Sequence, residues 1–369
     1  MRRTIALSLR CAAVAAFLCS AALALSQGGP QSMQGKTAEQ VKKNIQALKG
    51  LPAQHFDLVM DYFTSSLGVK CDHCHMIDTT GWYMDKDDKP AKRTARKMIQ
   101  MVKDLNANAF GGRDAVTCYT CHRGATTPAN VIPLPIAAHA PQQEERADAA
   151  LPTADQILAK YETALGGAEA ISKITSRKMT GVSVNVQGTE SPLVVVLAAP
   201  GRYASKTTMR EGAVREIGFN GTSGWMSSPR GVRDLSPDAV EEMKKEAEFY
   251  PLARLRAASA TLRVTEKDTV NGAPAYCLAA PGTGETELFY FDAESGLLVR
   301  QATRTETMIG TIPGQTDYLD YRTVDGVKVP FAVRSSAVDP RDGATERYTS
   351  IEQNTPVDES MFTKPAAKK

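Results

Sequence analysis

Two five-residue motifs, Cys71-Asp72-His73-Cys74-His75 and Cys118-Tyr119-Thr120-Cys121-His122, constrain this chain more than any other feature. Both read Cys-x-x-Cys-His, the attachment signature of c-type haem. Two intervening residues let both sulfurs reach the two vinyl groups of one porphyrin as thioethers. The adjacent histidine then lies under the iron as its proximal ligand. Two Cys-x-x-Cys pairs could also hold one structural zinc, but zinc does not account for a histidine after the second cysteine, twice. A thioredoxin-like redox pair needs a βαβ context that is absent here. The expectation is two covalently attached haem c groups on Cys71, Cys74, Cys118 and Cys121, with His75 and His122 as iron ligands.

Each iron then needs a sixth ligand or an open site. Met60 lies 11 positions before Cys71, on a helical pattern that ends near Gly68. Folding back, it could cover the distal face of the first haem, where a methionine sulfur opposite histidine raises the potential. It could equally be core, because Val59, Met60 and Phe63 share an apolar face. For the second haem, Met101 lies 17 positions before Cys118, with Met98 one turn earlier. Both fall on an apolar stripe, so at least one is expected in the core. The chain has five histidines, and besides His75 and His122 these are His55, His73 and His139. His55 could reach the second iron, and His139 could fold back to it. His73 is expected to face solvent.

The remaining thiols are settled by what precedes the motifs. Arg2, Arg3 and Arg10 form a basic start, Cys11 to Leu25 is uncharged and apolar, and Ala22-Leu23-Ala24 and Ala24-Leu25-Ser26 are small-x-small cleavage sites. This reads as a secretory signal peptide over 1–26. Its apolar run is shorter than the roughly 20 residues of a membrane span. Of seven cysteines, Cys11 and Cys19 leave with the signal, four serve the motifs, and Cys277 is expected as a buried thiol. Three arginines also leave, so 44 basic residues become 41 against 41 acidic ones. A neutral chain excludes a nucleic-acid binder. Haem propionates would push it negative, which favours a partner with a basic patch.

Residues 37–130 read as helical. Val41, Ile45 and Leu48 set a first helix over Ala38–Leu48. A second, opened by Pro52, carries Phe56, Val59, Met60 and Phe63. A third runs from about Pro90 to Asn106, with Ala91, Ala95, Met98, Met101, Val102 and Leu105 on one stripe. Residues 131–153, rich in proline and alanine, read as a linker. From 154 to 369 the pattern changes. A helix over Ala154–Leu165 stops at Gly166-Gly167, and alternating strands follow with turn signals such as Val324-Asp325-Gly326. Ser236 caps a further helix to about Phe249. The fold class expected is multidomain, α then α+β: a small helical dihaem domain, then a half-open, barrel-like antiparallel sheet with a few helices.

The stretch Leu67-Gly68-Val69-Lys70 into Cys71–His75, with Met60 placed 11 before the first cysteine, resembles the third haem segment of the cytochrome c subunit of photosynthetic reaction centres. Met98-Ile99-Gln100-Met101-Val102-Lys103-Asp104-Leu105-Asn106 resembles the helix before that family's fourth haem, and Arg123-Gly124 follows the second motif as it does there. The resemblance covers about residues 37–130. It implies that Met60 and His75 bind the first iron and that His122 is proximal to the second. In that family the fourth haem takes a second histidine from the other half of a four-haem chain. That half is missing here, which leaves Met101 as first choice and His55 as second. The C-terminal half resembles periplasmic lipoprotein-sorting-type domains, through Ile157-Leu158-Ala159-Lys160-Tyr161, Asn220-Gly221-Thr222-Ser223-Gly224-Trp225 and Asp320 to Pro330. Trp225 itself is expected in the core.

Together these readings point to a periplasmic electron carrier without substrate chemistry. Redox proteins would be its donor and acceptor, among them a membrane-bound electron-transfer complex. Two other classes compete. A haem enzyme of peroxidase or oxidase type needs one open iron, and a lipid- or lipoprotein-binding module would use the C-terminal half. No Ser/His/Asp constellation is available there, because no histidine lies beyond His139.

Overall fold

The computed structural model describes residues 35–130, 151–229, 231–282, 285–338 and 343–365. Residues 1–26, expected as a signal peptide, His139 and nearly all of the expected linker lie outside them. Among the described residues no helix is long and apolar enough to cross a membrane.

The first part is helical: α1 (Ala38–Val41), α2 (Phe56–Leu67), α3 (Cys71–Cys74), α4 (Pro90–Ala109) and α5 (Cys118–His122). A small hairpin, β1 (Met76–Asp78) and β2 (Gly81–Tyr83), separates α3 from α4. Gly68 closes α2 in the left-handed conformation (φ 66°), and the Val69 amide bonds back to the Thr64 carbonyl at 3.0 Å. Pro90 opens α4, where its missing N–H costs nothing.

Two expectations for this part need correction. The helix over Ala38–Leu48 stops at Val41. Asn44 instead takes a left-handed conformation (φ 58°), and its side-chain amide donates to the Asp85 carbonyl at 2.6 Å and to Asp87 at 2.9 Å. Tertiary hydrogen bonds thus outweigh the helical spacing of Ile45 and Leu48. On α4 the buried positions are Lys92, Ile99, Val102 and Asn106, while Met98, Met101 and Leu105 are exposed. Neither methionine belongs to the core.

The second part begins with α6 (Ala154–Leu165) and α7 (Ala168–Ser172). Next come β3 (Ser176–Asn185), β4 (Glu190–Ala198), β5 (Arg202–Thr208), β6 (Val214–Phe219), β7 (Gly224–Ser228) and β8 (Gly231–Asp234). Two helices follow, α8 (Pro237–Glu246) and α9 (Leu252–Ala257). Ser236 caps α8 as expected, but the helix ends at Glu246, before Phe249. The chain returns through β9 (Arg263–Val270), β10 (Ala273–Pro281), β11 (Glu285–Asp292), β12 (Leu298–Thr307), β13 (Gly310–Val324), β14 (Val327–Ser336) and β15 (Ala344–Gln353).

All these strands join one antiparallel sheet of 13 strands. Its order is β8-β7-β6-β5-β4-β3-β15-β14-β13-β12-β11-β10-β9, so two meanders meet where β15 pairs with β3. β8 and β9 remain as free edges, and the sheet does not close into a barrel. Tyr161, Leu158 and Leu165 of α6, with Leu255 of α9, pack on Phe289, Phe291 and Leu298 to form the largest core. Trp225 and Cys277 are buried as expected.

The two parts share a core. Ile309 and Ile312, at and just beyond the β12–β13 turn, are 2% and 1% exposed and pack with Val59, Tyr62 and Ile99 of the helical part. Ser65 on α2 donates to the Val338 carbonyl at 2.7 Å.

Candidate functional site

Each motif forms a single helical turn, which places its two cysteines three residues apart on one side of the turn. The Thr117 backbone N–H donates to the Thr120 hydroxyl at 3.0 Å, which fixes the start of the second turn. Asn106 on α4 holds the approach to it. Its side-chain amide donates to the Val116 carbonyl at 2.8 Å, and its oxygen accepts from the Val116 amide at 2.9 Å.

The two turns are brought together at their ends. The Gly124 amide donates to the Ser66 carbonyl at 2.9 Å. A Cβ added at Gly68 would come within 2.0 Å of the Gly124 carbonyl oxygen, so only glycine fits between α2 and the second motif.

Both motif histidines are oriented in the same way. His75 Nδ1 lies 3.0 Å from the Met84 carbonyl, and His122 Nδ1 lies 2.9 Å from the Ala125 carbonyl. A carbonyl only accepts, so each Nδ1 carries the proton. In the neutral ring this leaves Nε2 with a free lone pair for a metal. Burial pushes the His75 pKa down, with the Lys92 charge adding to the effect, so that ring is neutral at pH 7. The Lys92 ammonium, nearly buried, donates to the same Met84 carbonyl at 2.7 Å and to the Lys86 carbonyl at 2.8 Å.

A cavity of about 850 Å³ lies between the motifs. Met60 and Phe63 line it from α2, Met98 and Ile99 from α4, and Trp82 and Met84 from the small hairpin. Cys71, His73, Cys74, His75, Cys118 and His122 complete the chemistry-bearing wall. Met101, 48% exposed, is not among the lining residues, and neither are His55 and Cys121. His55 Nδ1 is buried without a hydrogen-bond partner. None of the five described cysteines is in a disulfide. Burial raises the pKa of the Cys74 and Cys118 thiols, which keeps them protonated at neutral pH. Among the described residues no three His, Cys, Asp or Glu side chains converge as a metal-ion cluster.

Sequence reading missed Lys92 and Asn106 as supports of the motifs. Both sit on α4, and both look like ordinary polar residues until tertiary contacts show which carbonyls they hold. The apolar pair Met308-Ile309 at a hairpin turn was a readable signal, because such turns are normally polar.

Two Cys-x-x-Cys-His turns with matching histidine geometry thus face one cavity. Residues 13–163 match the family of the photosynthetic reaction centre cytochrome c subunit. The chain is 34% identical over 104 residues to the "Photosynthetic reaction center cytochrome c subunit" of Roseobacter denitrificans, covering 26% of this chain and 27% of that protein. For the same subunit of Thermochromatium tepidum the identity is 35% over 98 residues, covering 26% and 23%. "Cytochrome c-554" of Chloroflexus aurantiacus is 34% identical over 88 residues, covering 22% and 20%. The chain thus spans about a quarter of the length of the curated relatives it matches. Among solved structures, an outer membrane lipoprotein-sorting protein domain from Vibrio parahaemolyticus aligns at a TM-score of 0.40 and 11% identity, over 57% of this chain and 97% of that one. A LolA superfamily protein from Nitrosomonas europaea aligns at 0.39 and 11%, over 58% and 99%.

Proposed function

We propose that this protein is an exported dihaem c-type cytochrome that passes single electrons between redox proteins, with a membrane-bound electron-transfer complex as one partner. The observation that carries the reading is the paired geometry of the motifs. Each histidine is fixed through Nδ1 with Nε2 free, beside two unpaired cysteines, on a cavity of about 850 Å³ lined by thioether and apolar side chains. The match to the reaction centre cytochrome c family over residues 13–163 supports it. A bound c-type haem supplies a one-electron couple at its iron.

The chain's own residues do the rest. Cys71 and Cys74 would tether one haem, and Cys118 and Cys121 the other. His75 and His122 would each present Nε2 to an iron. Met60 lines the cavity with His75 and would offer its sulfur to the first iron. For the second iron, Met101 was the first candidate in the sequence. Of the two α4 methionines, Met98 is the one that lines the cavity with His122 and Cys118, so we assign it the stronger claim. Phe63 and Ile99 would limit water around the site, which favours outer-sphere transfer over substrate chemistry. The lipid-carrier reading finds the sheet face under α6 and α9 already filled by Tyr161, Phe289 and Phe291.

The test is to express the full chain with its leader in a host that matures c-type cytochromes. The purified protein is then measured by mass and by redox-titrated visible spectra. Two covalent haems per chain and two one-electron waves are expected. Absence of covalent haem, or a haem content unchanged by Cys71→Ser and Cys118→Ser, would overturn the reading.

A further inference from the structure

We infer that the β12–β13 turn of the C-terminal sheet is a built-in part of the second haem's seat, and that Ile309 and Gly310 position the Cys118–His122 turn. This inference rests on the haem reading above.

Two contacts place the turn there, and a third ties the neighbouring end of the sheet to α2. Ile309 and Ile312 are 2% and 1% exposed, within a core that also holds Val59, Tyr62 and Ile99, and Cys118 packs against that core. Gly310 (φ +117°) sits against Thr117, the residue that starts the second motif. A Cβ there would lie 2.7 Å from the Thr117 methyl group. Ser65, near the end of α2, is tied to the Val338 carbonyl beyond β14 at 2.7 Å.

The turn is also rigid in itself. The Thr307 hydroxyl, in a buried side chain, donates to the Gly310 carbonyl at 2.7 Å and accepts from the Ile309 amide at 3.4 Å. Buried apolar side chains at a turn that is locked from within act as a fixed wedge. Closely packed interiors transmit displacement instead of absorbing it. A change in the sheet that moved β12 or β13 would therefore move Thr117, and with it the first cysteine of the second haem.

The holo protein tests this with Ile309→Ala, the milder Ile312→Val, and Gly310→Val. Leu298→Ala, buried in the separate core under α6, serves as a control for general destabilisation. Met60→Ala identifies which wave belongs to the first haem. Wedge variants should change the reduced-to-oxidised ratio of the second haem at fixed potential by about threefold or more, roughly 30 mV. The first haem should change less than about twofold. Amide exchange over residues 117–124 should quicken in the wedge variants and not in Leu298→Ala. If the wedge variants move neither haem, or move both equally as the control does, the positioning role is overturned. If the chain carries no haem on Cys118 and Cys121, the haem reading itself fails, and protein mass separates that outcome from the other.

Discussion

At the scale of single residues, the site depends on which groups are left with a free lone pair. His75 and His122 spend Nδ1 on backbone carbonyls, so the fold itself sets Nε2 as the nitrogen left to donate. The spacing of the motif histidines and cysteines is what marks them as candidates for haem attachment. Spacing cannot single out a sixth ligand in the same way, because a methionine on an amphipathic helix has the same spacing whether it faces a core or a cavity. Met98 and Met101 lie three residues apart on α4, yet only Met98 lines the cavity. Met60→Ala is expected to lower one potential and turn that haem partly high-spin, as read by redox titration and EPR. Met98→Ala should do the same to the other haem, while Met101→Ala leaves both spectra unchanged. The reverse result for the two α4 methionines would return Met101 to the site.

At the scale of elements, the two attachment turns are held by the C-terminus of α2 and by the residue after His122. Gly68→Ala combines a positive φ with a Cβ 2.0 Å from the Gly124 carbonyl oxygen. It should destabilise the protein by at least about 1 kcal/mol, measured by chemical denaturation, and should loosen both haem sites together. An unchanged midpoint would mean that the α2–α5 junction relaxes freely. The helix over Phe56–Leu67 could be read from its period and its glycine stop. Its neighbour over Ala38–Leu48 could not, because Asn44 exchanges a helical conformation for bonds to Asp85 and Asp87, some 40 residues away. Strands were legible from alternation and turn residues. So was their antiparallel sheet; the strand order was not, because the β15–β3 pairing joins the two meanders across most of the domain's sequence.

Across the whole molecule, a buried carboxylate ties three central strands of the sheet. Asp317 on β13 is fully buried, 2.6 Å from Arg300 on β12 and 2.5 Å from Arg334 on β14. Burial would raise its pKa, but the hydrogen bonds and charges of the two arginines outweigh burial and hold it below the ordinary carboxylate value. Its contribution is therefore fully present above about pH 5 and is lost as the pH falls through the lowered pKa. Asp317→Asn should cost about 2 kcal/mol at pH 7 and flatten the acid limb of the stability curve, read by denaturation from pH 3 to 7. An equal loss at pH 3 and pH 7 would refute the linkage. The shared core between helical part and sheet has a consequence in time. Ser65 and the Val338 carbonyl it bonds are 273 positions apart, and Val59 waits nearly as long for Ile312. Contacts of that separation form late, because a long loop must close first. A chain made from its N-terminus thus offers Cys118 to solvent well before β13 exists to cover it. On the proposed haem reading, the order of synthesis itself would leave an interval for covalent attachment, and the arrival of the hairpin would end that interval.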